Sequence, residues 1–174
     1  MNKKKEFGNV FWITGLSGSG KSSIGEKLKK LIQSKFGNTI IIHGDDIRSI
    51  YKFNFYTKKK RLILGKSNSD LCNLLSKQGV NIIFTTVGLF HELFNYNRKN
   101  IKNYTEIFIK TDITKLVKIG SKSFYNMKTK NVWGLDLKPE YPKNPDIVIE
   151  NDFILSIEKL TKNLYEEILS IKNK

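Results

Sequence analysis

Gly15-Leu16-Ser17-Gly18-Ser19-Gly20-Lys21-Ser22, with Ser23 behind it, is the stretch whose reading decides the fold. It matches G-x-x-x-x-G-K-[ST], and it stands between the apolar run Asn9-Val-Phe-Trp-Ile-Thr14 and a segment that puts Ile24, Leu28, Leu31 and Ile32 on one helical face. Strand, glycine loop and helix, in that order, form the context this pattern needs to hold phosphate. The glycines let successive backbone N–H groups turn inward around phosphate oxygens, and the helix N-terminus adds partial positive charge. In that loop Lys21 is the cation for the β- and γ-phosphates and Ser22 supplies the hydroxyl for Mg²⁺, so ATP and Mg²⁺ are the expected cofactors.

Working outward, Thr39-Ile-Ile-Ile-His43 and the stretches 79–86, 106–111 and 146–150 read as four further strands. The continuous apolar middle of the second predicts a strand covered on both faces. Helical spacing is predicted over about 58–77, 91–99 and 114–119, and Ile154, Ile157, Leu160, Leu164, Ile168 and Ile171 form a core-facing stripe near the C-terminus. Strands alternating with helices predict an α/β, three-layer architecture around a five-stranded parallel sheet, in one domain over 1–174. The stretch of about 120–144 is Lys-rich, weakly periodic and broken by Gly134, Pro139 and Pro142, which reads as a basic lid.

The 174 residues carry 31 Lys+Arg against 16 Asp+Glu, a net charge of +15. With 39% hydrophobic and 11% aromatic residues, the chain is too apolar to be disordered. Only Arg48, Arg61 and Arg98 are arginines, and the lysines are scattered rather than grouped in a stripe with interleaved aromatics. The charge therefore welcomes anionic ligands without marking a nucleic-acid interface. No apolar run approaches the ~20 residues that span a bilayer, and no apolar leader follows the N-terminal lysines, so a cytoplasmic protein with no membrane partner is expected. Cys72, the single cysteine, falls among leucines and reads as a small buried hydrophobe. His91 has no second ligand at metal spacing, and Trp12 falls in the first strand as a core residue.

A second constellation closes the second strand: His43-Gly44-Asp45-Asp46-Ile47-Arg48. In a parallel sheet the C-terminal strand ends flank the ligand crevice. Asp45 can orient an acceptor hydroxyl or take its proton, and Arg48 can clamp an acceptor phosphate. Asp46 reads either as substrate-binding or as a helix cap. The third strand ends in Thr85-Thr86, where an Asp would order the metal in many triphosphatases. His43 can contact substrate or be satisfied by a hydrogen bond, and Trp133 can stack on a base or pack inside.

Together these residues resemble the adenylylsulfate (APS) kinase family of P-loop kinases, which move the ATP γ-phosphoryl group to a nucleotide 3′-hydroxyl. Phe11-Trp-Ile-Thr-Gly-Leu-Ser-Gly-Ser-Gly-Lys-Ser22 is similar to the family's opening, and Gly44-Asp45-Asp46-Ile-Arg48 to its second-strand motif. Asn131-Val-Trp-Gly-Leu-Asp136 and Pro142-Lys-Asn-Pro-Asp-Ile-Val148 resemble the lid's exit and last strand. The resemblance implies that Asp45 and Lys21 are catalytic and that Arg48 and Arg61 hold the acceptor's phosphate-bearing tail. It implies further that Tyr56 stacks on the acceptor base, that Lys122 opens the mobile lid, and that the chain forms a homodimer.

Departures from the family pattern collect on the acceptor side. His43-Gly44-Asp45 replaces Asp-Gly-Asp, Leu64 stands where the family has Asn, Val132 replaces a base-stacking Phe beside Trp133, and Gly88-Leu89 replaces Ser-Pro. A base–aromatic stack is worth about 1–3 kcal/mol, so these changes alter the acceptor pocket while leaving the ATP loop intact. The pattern is similar to that of related kinases that phosphorylate the 3′-hydroxyl of cytidine diphosphoramidate in capsular polysaccharide biosynthesis. An adenylylsulfate kinase of sulfate activation is the alternative acceptor reading. A nucleic-acid-binding ATPase module is the alternative of another class, and it would bind DNA or RNA with strong salt dependence.

Overall fold

The computed structural model describes residues 6–53, 57–119 and 132–173. Five strands, β1 (Val10–Thr14), β2 (Thr39–His43), β3 (Asn81–Thr86), β4 (Tyr104–Lys110) and β5 (Ile147–Glu150), form one sheet in the order β2-β3-β1-β4-β5. Every pairing is parallel, with Val10 opposite Ile82 on one side and Tyr104 on the other. The helices are α1 (Lys21–Phe36), α2 (Gly44–Ile50), α3 (Lys58–Ser76), α4 (His91–Asn100), α5 (Ile113–Lys118) and α6 (Ile157–Lys172).

Side chains alternate across a strand, and β1 shows what that does in the middle of a three-layer fold. Val10 and Trp12 join the core under α3 and α4, where Trp12 stacks on Phe84 at 4.4 Å between centroids. Phe11 and Ile13 join the opposite core with Ile24, Leu28 and Ile32 of α1 and Leu160, Leu164 and Ile168 of α6. Both faces of β1 are therefore buried, which explains its unbroken apolar run. Cys72 is fully buried in the first of these cores, and burial holds its thiol far above the usual range.

Three expectations change. β2 is an edge strand, so its apolar run is only half-buried beyond Thr39 rather than covered on both faces. Ile154 lies before α6 and is 80% exposed, and Ile171 is 38% exposed. The stripe thus begins only after Ser156, whose hydroxyl caps α6 by accepting from the Lys159 N–H. The Gly44–Ile50 stretch that closes the second strand is α2, and Asp45 and Asp46 lie in its first turn, where they suit the helix dipole, while His43 holds the N-cap position. Finally, the described part of the expected lid is docked: Val132 and Trp133 are buried against Phe90, and Glu140 accepts hydrogen bonds from Lys58 and from the His91 N–H. Two buried side chains and a paired carboxylate give that stretch a place in the core that its weak periodicity concealed.

Candidate active site

The loop after β1 carries its conformation in its glycines. Gly15, at φ 151°, passes so close to β4 that an added Cβ would meet the Ile109 carbonyl oxygen at 2.5 Å. Gly20, at φ 92°, precedes α1 in the left-handed region and offers no side-chain cap, so the first N–H groups of this 16-residue helix point into the loop. Two buried contacts fix the loop from either side. Lys21 Nζ, 7% exposed, donates to the Leu16 carbonyl at 2.6 Å, and Asn151 Nδ2 donates to the Ser19 carbonyl at 3.0 Å.

In front of the loop lies a cavity of about 250 Å³. Ser17, Gly18, Gly20, Lys21, Ser22 and Ser23 form one wall, and His43, Asp45 and residues 85–87 the other. Gly15, Leu16 and Ser19 shape the loop from behind, the Leu16 side chain in the core and Ser19 fully buried. Inward N–H groups, a helix N-terminus and a lysine make this a built site for a triphosphate. Ser22 supplies a single hydroxyl for Mg²⁺, a donor set that suits a metal ion brought in on phosphate oxygens rather than held by a protein cage.

Asp45 sits in the first turn of α2 with its side chain 90% exposed, at the mouth of this cavity, 3.7 Å from the Arg48 guanidinium. His43 is held at both ring nitrogens: Nε2 lies 2.9 Å from Glu26 Oε1 and Nδ1 2.7 Å from Thr85 Oγ1. A carboxylate only accepts, so Nε2 carries the proton toward Glu26, and Nδ1 of a neutral ring accepts from the Thr85 hydroxyl. His43 is therefore a brace between α1 and β3 that also faces the cavity.

A second, smaller cavity of about 30 Å³ lies behind the first, among Arg48, Arg61, Leu64, Asn68, Gly88 and Trp133. Thr86 and Val87 line both, so the end of β3 is the partition between them. Trp133 is 5% exposed; Phe90 meets it edge-on at 4.9 Å and the Arg61 guanidinium lies 6.0 Å from its ring centre. It walls the cavity as a packed residue rather than standing open as a platform.

Of the residues expected at the site, the structure brings the loop, Asp45, Arg48, Arg61 and Trp133 together. Asp46 is exposed and lines neither cavity. Tyr56 and Lys122 lie outside the described residues. Glu26, Thr85, Thr86, Asn68 and Asn151 were not anticipated. Asn151 follows the last strand directly, the one local cue among them, whereas Glu26 and His43 meet only through the α1–β2 packing.

A family profile described as adenylylsulphate kinase matches residues 7–150. A cytidine diphosphoramidate kinase from Campylobacter jejuni is 32% identical over 163 residues, covering 91% of this chain and 95% of that one. A probable adenylyl-sulfate kinase from Archaeoglobus fulgidus is 27% identical over 148 residues, covering 82% of this chain and 96% of its own. The solved structure of the Mycobacterium tuberculosis APS kinase CysC with AMPPNP and APS superposes with a TM-score of 0.84 at 22% identity, over 94% of this chain and 98% of that one.

Proposed function

The chain belongs to the adenylylsulfate kinase family and is an ATP-dependent nucleotide kinase; from that premise we propose that its acceptor is cytidine diphosphoramidate, phosphorylated at the 3′-hydroxyl for capsular polysaccharide biosynthesis. The observation that carries this reading is the partition at β3. The triphosphate cavity and the arginine-lined cavity share Thr86 and Val87, and Asp45 stands at the mouth of the first, 3.7 Å from Arg48 of the second. A nucleotide held by Arg48 and Arg61 then presents its ribose hydroxyl toward the loop.

Phosphoryl transfer asks a protein mainly for alignment and charge neutralisation. The acceptor hydroxyl attacks the γ-phosphorus in line, its proton passes to Asp45, and ADP leaves with the electrons of the broken bond. Lys21 and the inward N–H groups neutralise charge on the transferred group; Ser22 would hold Mg²⁺, which would supply further charge neutralisation there. Arg48 and Arg61 hold the acceptor's phosphates, and His43 keeps β2, β3 and α1 in register behind Asp45.

Cytidine is preferred over adenine on two supports. The Campylobacter relative is 32% identical over nearly the whole chain. Of the residues at which the chain departs from the family pattern, Leu64 and Gly88 line the acceptor cavity and Val132 adjoins its Trp133 wall, whereas His43 faces the triphosphate cavity. The test is ADP release with ATP and Mg²⁺ against equal concentrations of cytidine diphosphoramidate, APS, CDP or no acceptor, with the product's position read by phosphorus NMR. Turnover with the cytidine compound and a 3′-phosphate signal is the expected result. Turnover with APS alone would make the acceptor adenylylsulfate.

A further inference from the structure

Asn68 is 4% exposed, its amide has no hydrogen-bond partner among the described residues, and it lines the acceptor cavity. The other buried asparagines among those residues both donate and accept, and only the half-buried Asn73 likewise keeps an enclosed amide oxygen without a partner. Asn81 accepts from Asn9 and donates to the Phe36 carbonyl; Asn97 accepts from Ser69 and donates to Tyr104; Asn151 accepts from the Phe153 N–H and donates to the Ser19 carbonyl. An amide with no protein partner in a nearly enclosed place that opens on a cavity leaves a donor and an acceptor for a partner that arrives from outside.

The surroundings say what kind of partner. Arg61, Leu64 and Asn68 succeed one another along one face of α3, and all three line the cavity. Phe90 and Trp133 close it with aromatic rings. About 30 Å³ admits one water or the edge of a ring, not a whole base. With the Arg48 and Arg61 guanidiniums given to the acceptor's phosphates, the aromatic walls and the neutral carboxamide suit the edge of a flat heteroaromatic ring.

We propose that Asn68 reads the base of the acceptor nucleotide, pairing its amide with an amidine edge, a ring nitrogen beside an exocyclic amino group. This rests on the nucleotide-kinase reading above and names a specificity residue within it. The carboxamide donates to the ring nitrogen through its N–H and accepts from the amino group through its oxygen, with no charge left over. Cytosine and adenine both carry that edge, and Asn68 does not depend on which of the two the cleft admits. Leu64, one turn earlier, offers no polar atom, so base reading falls to Asn68.

The experiment compares the intact protein with Asn68→Leu and Asn68→Ala. Acceptors are cytidine diphosphoramidate, APS, the uridine counterpart, and a pyrimidin-2-one counterpart that lacks the amino group. The native protein is expected to favour an amidine-edged acceptor over the uridine and pyrimidin-2-one compounds by about 10- to 100-fold in kcat/KM. In both variants that preference falls to within about threefold, through acceptor KM rather than kcat, while the KM for ATP stays within about twofold. Asn68→Leu should also melt no lower than the native protein, which a structural amide would not allow. Variants that keep the native preference, or a native protein that uses the uridine compound equally well, overturn the assignment and leave the kinase reading standing. A native protein that turns over no nucleotide overturns both.

Discussion

The phosphate loop and the acceptor cavity lie on either side of the end of β3, yet they are built by different rules. The loop is contiguous, running from Gly15 to Ser22, and its shape is complete without a ligand: Lys21 is tied to the Leu16 carbonyl and Ser19 to Asn151. The acceptor side gathers Arg48 from α2, Arg61 and Asn68 from α3, the end of β3, and Trp133 from far along the chain. Asp45, at the mouth of the first cavity, is almost fully exposed, and Asn68 in the second is nearly enclosed without a protein hydrogen bond among the described residues. Donor binding is written into backbone geometry, which any triphosphate satisfies. Acceptor choice is written into side chains, which can change one at a time without disturbing the loop.

If that division holds, substitutions on the two sides should separate in their kinetics. Lys21→Met has the largest expected effect, a loss of about 10³-fold or more in kcat, because it removes the cation nearest the transferred charge. Asp45→Asn follows, at about 10²-fold in kcat with the melting temperature unchanged, since the side chain is 90% exposed. Arg61→Lys keeps the charge but loses the planar fork, so acceptor KM should rise about tenfold with ATP KM unmoved. Steady-state kinetics in both substrates checks all three. An Arg61→Lys protein whose ATP KM rises as much as its acceptor KM would show that the two cavities are one site.

The same division explains what could be read in advance. The loop, β1 and α1 declare themselves because eight consecutive residues, an apolar run and a helical stripe are all local signals. The five strands are legible for the same reason, although the edge position of β2 is not: an apolar run does not say how many neighbours a strand has. Asp45 and Arg48 are legible from their place at the end of a parallel strand, whereas Arg61 was reachable only through a family pattern. Asn68 breaks no pattern and forms no motif; it stands out only because the fold buries it with nothing to bond. His43 and Glu26, from different elements, meet by packing alone. Val132 and Trp133 are buried in a core that includes Phe90, about forty positions earlier and edge-on to Trp133, so no window around them shows it.

The smallest expected effect tests how firmly the stretch behind Trp133 is joined to the acceptor side. The Glu140 carboxylate accepts from Lys58 Nζ at the start of α3 and from the N–H of His91 at the start of α4. The Lys58 hydrogen bond leads, and the His91 N–H adds to it, in holding the Glu140 carboxyl below its ordinary value of 4.5, against the opposing pull of burial. For an acid whose pKa is depressed by folding, the stabilisation is fully present above the unfolded value and is lost as pH falls through the folded one. Glu140→Gln keeps the shape and removes the charge, so at pH 7 it should lower stability by about 1 kcal/mol, or about 2–4 °C in Tm for a chain of this size. The gap between native and variant proteins should close as the pH drops below 4.5, which melting curves at pH 7 and at successively lower pH would follow. Because Glu140 braces α3 and α4 and touches no loop residue, acceptor KM should rise a few-fold while ATP KM holds. A variant that melts with the native protein at pH 7 would mean that the stretch is held by Val132 and Trp133 alone, and a gap that persists unchanged at low pH would mean that the Glu140 charge is not what holds it.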